Sequence, residues 1–169
     1  YAKARGYRSG ENPACWKGNL AMILPAASSV ATVQHHASLP YADIPAFWPR
    51  LQVQDGVGAR ALEFAILTAG RTGEVLGARW PEIDGTARTW SIPAERMKAR
   101  AAHRVPLSTA ALRLLNKMSA IRFQGCDLVF PGQRRGRPRS IMAMAMALRR
   151  MQLPVTPHGF RASFRTWVA

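Results

Sequence analysis

The 169 residues carry 24 Lys and Arg against 9 Asp and Glu, a net charge of +15 with a pI near 11.5, while 48% of the residues are hydrophobic. That length and apolar content suit one folded domain with a tail or linker, and the charge calls for a polyanionic partner, nucleic acid ahead of a membrane surface. No apolar run of ~18 residues and no basic amphipathic anchor stands out, and the two cysteines, Cys15 and Cys126, lack the pairing of a disulfide framework or structural zinc site. A reducing cytoplasmic compartment is the simple expectation.

In chain order, residues 1–20 read as the tail of a preceding helical domain and 21–40, rich in small and turn-forming types, as an extended linker. The adjacent His35-His36 diverge in most backbone geometries and have no carboxylate or thiol at ligand spacing, so no metal is expected there. The main domain is expected over 41–169. Ile44–Leu51 predicts a first helix and Gly58–Ala69 a second, with Leu62, Ala65, Ile66 and Ala69 on its core face. Arg71 follows, with Glu74 three residues on, where a carboxylate can hold the guanidinium in place. The next helix turns Val75, Leu76 and Trp80 inward until Pro81 stops it, and Asp84-Gly85 signals a turn. Strands are predicted at Thr89–Ile92 and His103–Leu107, and the basic connection between them puts Lys98 at a hairpin tip. Ser108 caps a helix reaching about Ile121, Asp127–Phe130 predicts a short strand, and Ser140 caps a helix with Ile141, Met144, Leu148 and Met151 on one face. Before that helix, Gln133-Arg134-Arg135-Gly136-Arg137-Pro138-Arg139 is an exposed basic loop suited to a phosphate backbone. Finally, Thr156 as N-cap and Pro157 at the first helical position open a helix with Phe160, Phe164, Trp167 and Val168 as a buried stripe.

His158 and Arg161 are three apart, hence on one face of that last helix, in the first turn where backbone N–H groups and the dipole favour an anion. Together with Arg71 and Lys98 they read as one phosphate site. Lys98 is placed to donate a proton, because the positive charges of Arg100 and Arg104 nearby favour its neutral form. Each residue has an ordinary reading too: Arg71 as a surface arginine at a helix junction, His158 and Arg161 as a capping-region histidine beside an exposed arginine, and Lys98, Arg100 and Arg104 as a solvated run against DNA phosphates.

The ordered set, Arg71 with Glu74, then Lys98 seven residues before Val105-Pro106-Leu107, then His158-Gly159-Phe160-Arg161, resembles the tyrosine recombinases, or phage-type integrases, and the segment from His35 to Leu51 resembles integrases of genomic islands. The resemblance implies an α+β fold, mostly helical with a small antiparallel β-sheet or hairpin, acting on double-stranded DNA without metal or cofactor in assemblies of several protomers, in a bacterial cytoplasm at the nucleoid. It implies that Arg71 and Arg161 clamp the scissile phosphate, that His158 bonds it or moves a proton, and that Lys98 protonates the departing 5′ oxygen after a tyrosine attacks. In the family that tyrosine lies downstream of the His-x-x-Arg. Here Tyr1, Tyr7 and Tyr41 all precede Arg71, so the catalytic domain is expected to be incomplete at its C-terminal end and the chain to bind DNA weakly without cleaving it. A non-catalytic DNA-binding module, or a type IB topoisomerase, remains the alternative.

Overall fold

The computed structural model describes residues 1–25, 36–97, 99–134 and 136–169, and the chain divides into two compact units, Tyr1–His35 and His36–Ala169. In the first unit an irregular π-type segment, Trp16–Leu20, runs into a single helical turn, Ala21–Ile23, and neither holds a buried residue.

The second unit is built around one helix. After a 3-10 turn at Tyr41–Asp43 come α1 (Ile44–Gln52) and α2 (Val57–Thr68), then α3 (Thr72–Leu76), α4 (Thr109–Ala120), α5 (Ala143–Arg150) and α6 (Gly159–Val168). α2 reads as apolar nearly all round, and it packs against each of the other five helices, burying Ala59, Ala61, Leu62, Phe64 and Ala65. Its one acid in that stretch, Glu63, pairs with Arg60 at 2.8 Å, and burial pushes its carboxyl above the ordinary range against the pull of Arg60 and Lys117. Arg60 also donates to the carbonyls of Leu51 and Gln52 at 3.0 and 2.9 Å, closing the otherwise unpaired end of α1.

An antiparallel sheet, β1 (Ile83–Asp84), β2 (Thr89–Ile92) and β3 (His103–Pro106), pairs in that order with Ile83 opposite Trp90 and Ile92 opposite His103. Alternation along β2 sends Trp90 and Ile92 into the core, where the Trp90 ring meets Phe64 at 5.1 Å.

Four expected elements differ. Asp127–Phe130 is no strand: only Leu128 bridges Arg79, because Pro81 ends the partner segment and Pro131 follows at once. The helix after Arg71 ends at Leu76, and Trp80 lies in a separate 3-10 turn, Trp80–Glu82. α5 starts at Ala143 rather than beside Ser140, whose hydroxyl accepts from Met142 at 3.3 Å, and Ile141 is exposed. α6 starts at Gly159, although Thr156 still accepts from its first N–H at 3.0 Å. Of the stripe predicted on α6, Phe160 is buried, while Phe164, Trp167 and Val168 are 45%, 65% and 63% exposed, since no described element covers that face.

Candidate active site

Arg71 owes its place to how α2 ends. Ala69 takes a left-handed conformation (φ 48°) that breaks the helix, and Gly70 then threads where an added Cβ would stand 2.8 Å from Val75 and 3.4 Å from Trp90. Arg71 thus emerges as the N-cap of α3 in an extended conformation. Glu74, nearly buried, accepts from its backbone N–H at 2.9 Å and from its guanidinium at 2.7 Å. Burial alone would raise the Glu74 carboxyl; the two hydrogen bonds from Arg71, with the charges of Arg71 and Arg161, outweigh it and hold the carboxyl below its ordinary range.

Arg161 reaches the same place from α6. Its guanidinium donates to the carbonyl of Ala69, the residue whose turn releases Arg71. The two arginines line one open cleft of about 610 Å³ with Glu74, Met97, Ala99 and His103. Both are held by protein acceptors, and half of the Arg71 side chain stays exposed. Two guanidinium groups held in one cleft can donate to the oxygens of a tetrahedral oxyanion.

His158, just ahead of α6, is exposed at the edge of this group rather than in the cleft wall. Its imidazole is held below the ordinary histidine value by partial burial first, then by His36, Arg161 and Arg71, so it is neutral at neutral pH. His36 meets it edge-on, ring centres 4.8 Å apart. This contact depends on Gly159: a Cβ there would stand 2.2 Å from the Ala37 carbonyl, while Thr156 N–H donates to that carbonyl at 3.0 Å and the Ser163 hydroxyl to Leu39.

The other expected residues are distributed. Lys98 lies outside the described residues, although its neighbours Met97 and Ala99 line the cleft. Arg100 and Arg104 are exposed on the β2–β3 connection and on β3, outside the cleft wall. Arg134, Arg137 and Arg139 line a second groove of about 390 Å³ with Gly58, Ala143 and Arg150, at the other end of α2; Arg135 lies outside the described residues. With a rise of 1.5 Å per residue the two ends of α2 stand ~16 Å apart. Two residues went unassigned in the sequence. His103 lines the cleft and could have been found from the register that sets it opposite Ile92; His36 is brought in by a contact across more than a hundred residues, which no local pattern announces.

The fold recurs in solved structures: the Tn1549 transposon integrase in complex with circular intermediate DNA (TM-score 0.67, 16% identity, 99% of this chain and 61% of that one) and a lambda integrase dimer bound to a core site (TM-score 0.65, 18% identity, 96% and 59%). It is the catalytic-domain fold of the tyrosine recombinases. Sequence narrows this. The model of the phage integrase family matches residues 50–169, and the chain belongs to that family. The prophage integrase IntZ of Escherichia coli K12 is 39% identical over 135 residues, 78% of this chain and 33% of that protein. The integrase of Enterobacteria phage P4 is 34% identical over 166 residues, 87% and 38%. The chain thus spans between a third and two fifths of the length of these relatives. Among the described residues no helix is long and apolar enough to cross a membrane.

Proposed function

We propose that this chain supplies the phosphate clamp of a site-specific DNA recombinase that integrates or excises a mobile element through a 3′-phosphotyrosyl intermediate. The observation that carries the reading is the meeting of Arg71 and Arg161, from different helices, in one cleft, each fixed by a protein acceptor. In the attack step a tyrosine oxygen bonds to phosphorus, the 5′ oxygen leaves, and Lys98 gives that oxygen its proton. The negative charge growing on the non-bridging oxygens is met by Arg71 and Arg161, with no reorganisation at the moment of reaction. His158, neutral at rest, bonds the phosphate or takes the tyrosine proton. Arg100 and Arg104 grip flanking phosphates, and so do Arg134, Arg135, Arg137 and Arg139. Double-stranded DNA and further protomers assembled on it are the partners.

The three tyrosines of the sequence, Tyr1, Tyr7 and Tyr41, lie on the wrong side of Arg71 to match the family's order, so the nucleophile is supplied from outside these residues and the 169-residue chain does not cleave. The test is trapping of a covalent protein–DNA adduct on a nicked half-site whose leaving fragment diffuses away. The full-length protein is expected to form the adduct, and Arg71→Ala to slow it by about 10²–10³-fold, the usual loss of one transition-state donor. An adduct formed by the 169-residue chain, or undiminished cleavage by Arg71→Ala, overturns the reading.

A further inference from the structure

The guanidinium of Arg96, at the end of a 3-10 turn (Ala94–Arg96) that follows β2, is enclosed on three sides. One nitrogen pairs with the Glu82 carboxylate. The other donates to the backbone carbonyl of Glu74 at 2.6 Å. The third side is Gly77, where a Cβ would stand 2.7 Å from the same nitrogen. Glu82 is itself fixed: it accepts from the Trp90 indole at 3.0 Å and from the Arg79 N–H at 3.2 Å, and Trp90 is fully buried.

These contacts form one chain from the sheet to the cleft. Trp90 and Arg79 hold Glu82, Glu82 holds Arg96, Arg96 holds the backbone of Glu74, and the Glu74 carboxylate holds Arg71. α3 has only five residues, too few to be stable as a helix by itself; of the carbonyls at its C-terminal end, those of Gly73 and Val75 accept from the N–H groups of Gly77 and Ala78, and that of Glu74 accepts from Arg96. A guanidinium at its C-terminal end supplies a donor to one of those carbonyls and a charge that suits the dipole. Because the carbonyl it takes belongs to Glu74, a shift of Arg96 moves the very residue that orients Arg71.

We propose that Arg96 is a positioning residue of the phosphate site, anchoring Glu74 so that Arg71 is held in register with the scissile phosphate. This rests on the clamping role of Arg71 proposed above. Arg96 does not touch the substrate; it acts through Glu74. Lysine cannot replace it, since an ammonium lacks the planar fork that spans a carboxylate and a carbonyl at once.

The experiment uses the full-length protein and two half-sites that differ only at the scissile position, a phosphodiester and a methylphosphonate. The methylphosphonate is neutral before attack and carries one negative charge fewer in the transition state, so its cleavage depends less on a well-placed Arg71. Two variants are compared: Arg96→Gln removes the guanidinium, and Gly77→Ala keeps it but pushes it off the Glu74 carbonyl. Both are expected to slow single-turnover cleavage of the phosphodiester by about 10²-fold, the scale of a misplacement of about 1 Å. On the methylphosphonate both losses should shrink to a few-fold. Equal losses on the two substrates would make Arg96 a merely structural residue and end the proposal. Arg71→Ala separates the two levels: if its own loss ignores substrate charge, the clamp reading fails first; if its loss follows charge while those of Arg96→Gln and Gly77→Ala do not, the positioning proposal fails alone. A second readout needs no cleavage. In the 169-residue chain, carbon-13 titration of the Glu74 carboxyl should show it moving up toward the ordinary range in Arg96→Gln as Arg71 is released; an unmoved Glu74 overturns the proposal.

Discussion

The two basic clefts at the ends of α2 are made of the same residue type and differ in what holds it. At the C-terminal end Arg71 is tied to Glu74 and Arg161 to the Ala69 carbonyl. At the N-terminal end Arg134 and Arg137 are exposed, and among the described residues neither side chain has a hydrogen bond or ion pair. A guanidinium fixed before substrate arrives loses little freedom on binding and can be aimed at charge that exists only in the transition state. An unrestrained one follows a phosphate wherever the backbone offers it, which gives affinity without precision. Counting arginines would rank the second groove, lined by four, above the first, lined by two.

The comparison breaks most severely if the floor of the first cleft is removed. Trp90 lies beneath Gly70, is fully buried, packs against the Phe64 ring at a tilt of 55° and donates to Glu82. Trp90→Ala is expected to cost about 3–5 kcal/mol of stability, read as a lower urea midpoint, because it opens a cavity and leaves the Glu82 carboxylate short of a donor. No substitution in the second groove, among Arg134, Arg137 and Arg150, should cost more than about 0.5 kcal/mol, since these are surface side chains. Comparable losses in both places would erase the distinction.

A milder change sharpens it through pH. The folded Glu74 carboxyl lies below its ordinary range, so its unfolded value, ~4.3, is the higher of the two. The stability contributed by its charge is therefore whole above that value and is lost as pH falls through the folded one. The stability gap between the protein and Glu74→Gln should stay flat from neutral pH down to about 5 and close below it. A gap that widens on acidification would mean that burial, not Arg71, governs the carboxyl.

The same contrast explains what could be read from the sequence. Glu74 three residues after Arg71 is a local relation, and a capping-box spacing announces it. The α2 helix and the β2–β3 hairpin likewise follow from periodicity within 12 and 18 residues of chain. What could not be read is what depends on distant packing. Arg161 on Ala69, His36 on His158, and Arg96 bridging Glu82 to Glu74 each join segments whose separation in the chain carries no pattern. The exposed face of α6 differs from its pattern for a related reason: Phe164, Trp167 and Val168 have the spacing of a core stripe, but spacing states only that a face is apolar, and what covers it is settled elsewhere. Gly159 shows the converse. As one glycine between a histidine and an arginine it carries no packing signal in sequence, and in the fold it is the gap through which the 37–38 backbone reaches α6.

The smallest effect is expected in the second groove, and it is the one that tests whether the arginines there do anything for DNA. Binding of a short duplex by the 169-residue chain should weaken linearly with the logarithm of salt, each neutralised phosphate contributing about 0.9 to the slope. Arg134→Ala and Arg137→Ala should each lower that slope by about one and weaken all sequences alike, because phosphate contacts carry no base information. In the full-length protein their cleavage rate at saturating DNA should not change, whereas Arg71→Ala is expected to lose rate at saturation. If Arg134→Ala also slows the saturated reaction, the groove holds its phosphate in the transition state as proposed for the cleft, and the division between fixed and free arginines is not the division between chemistry and grip.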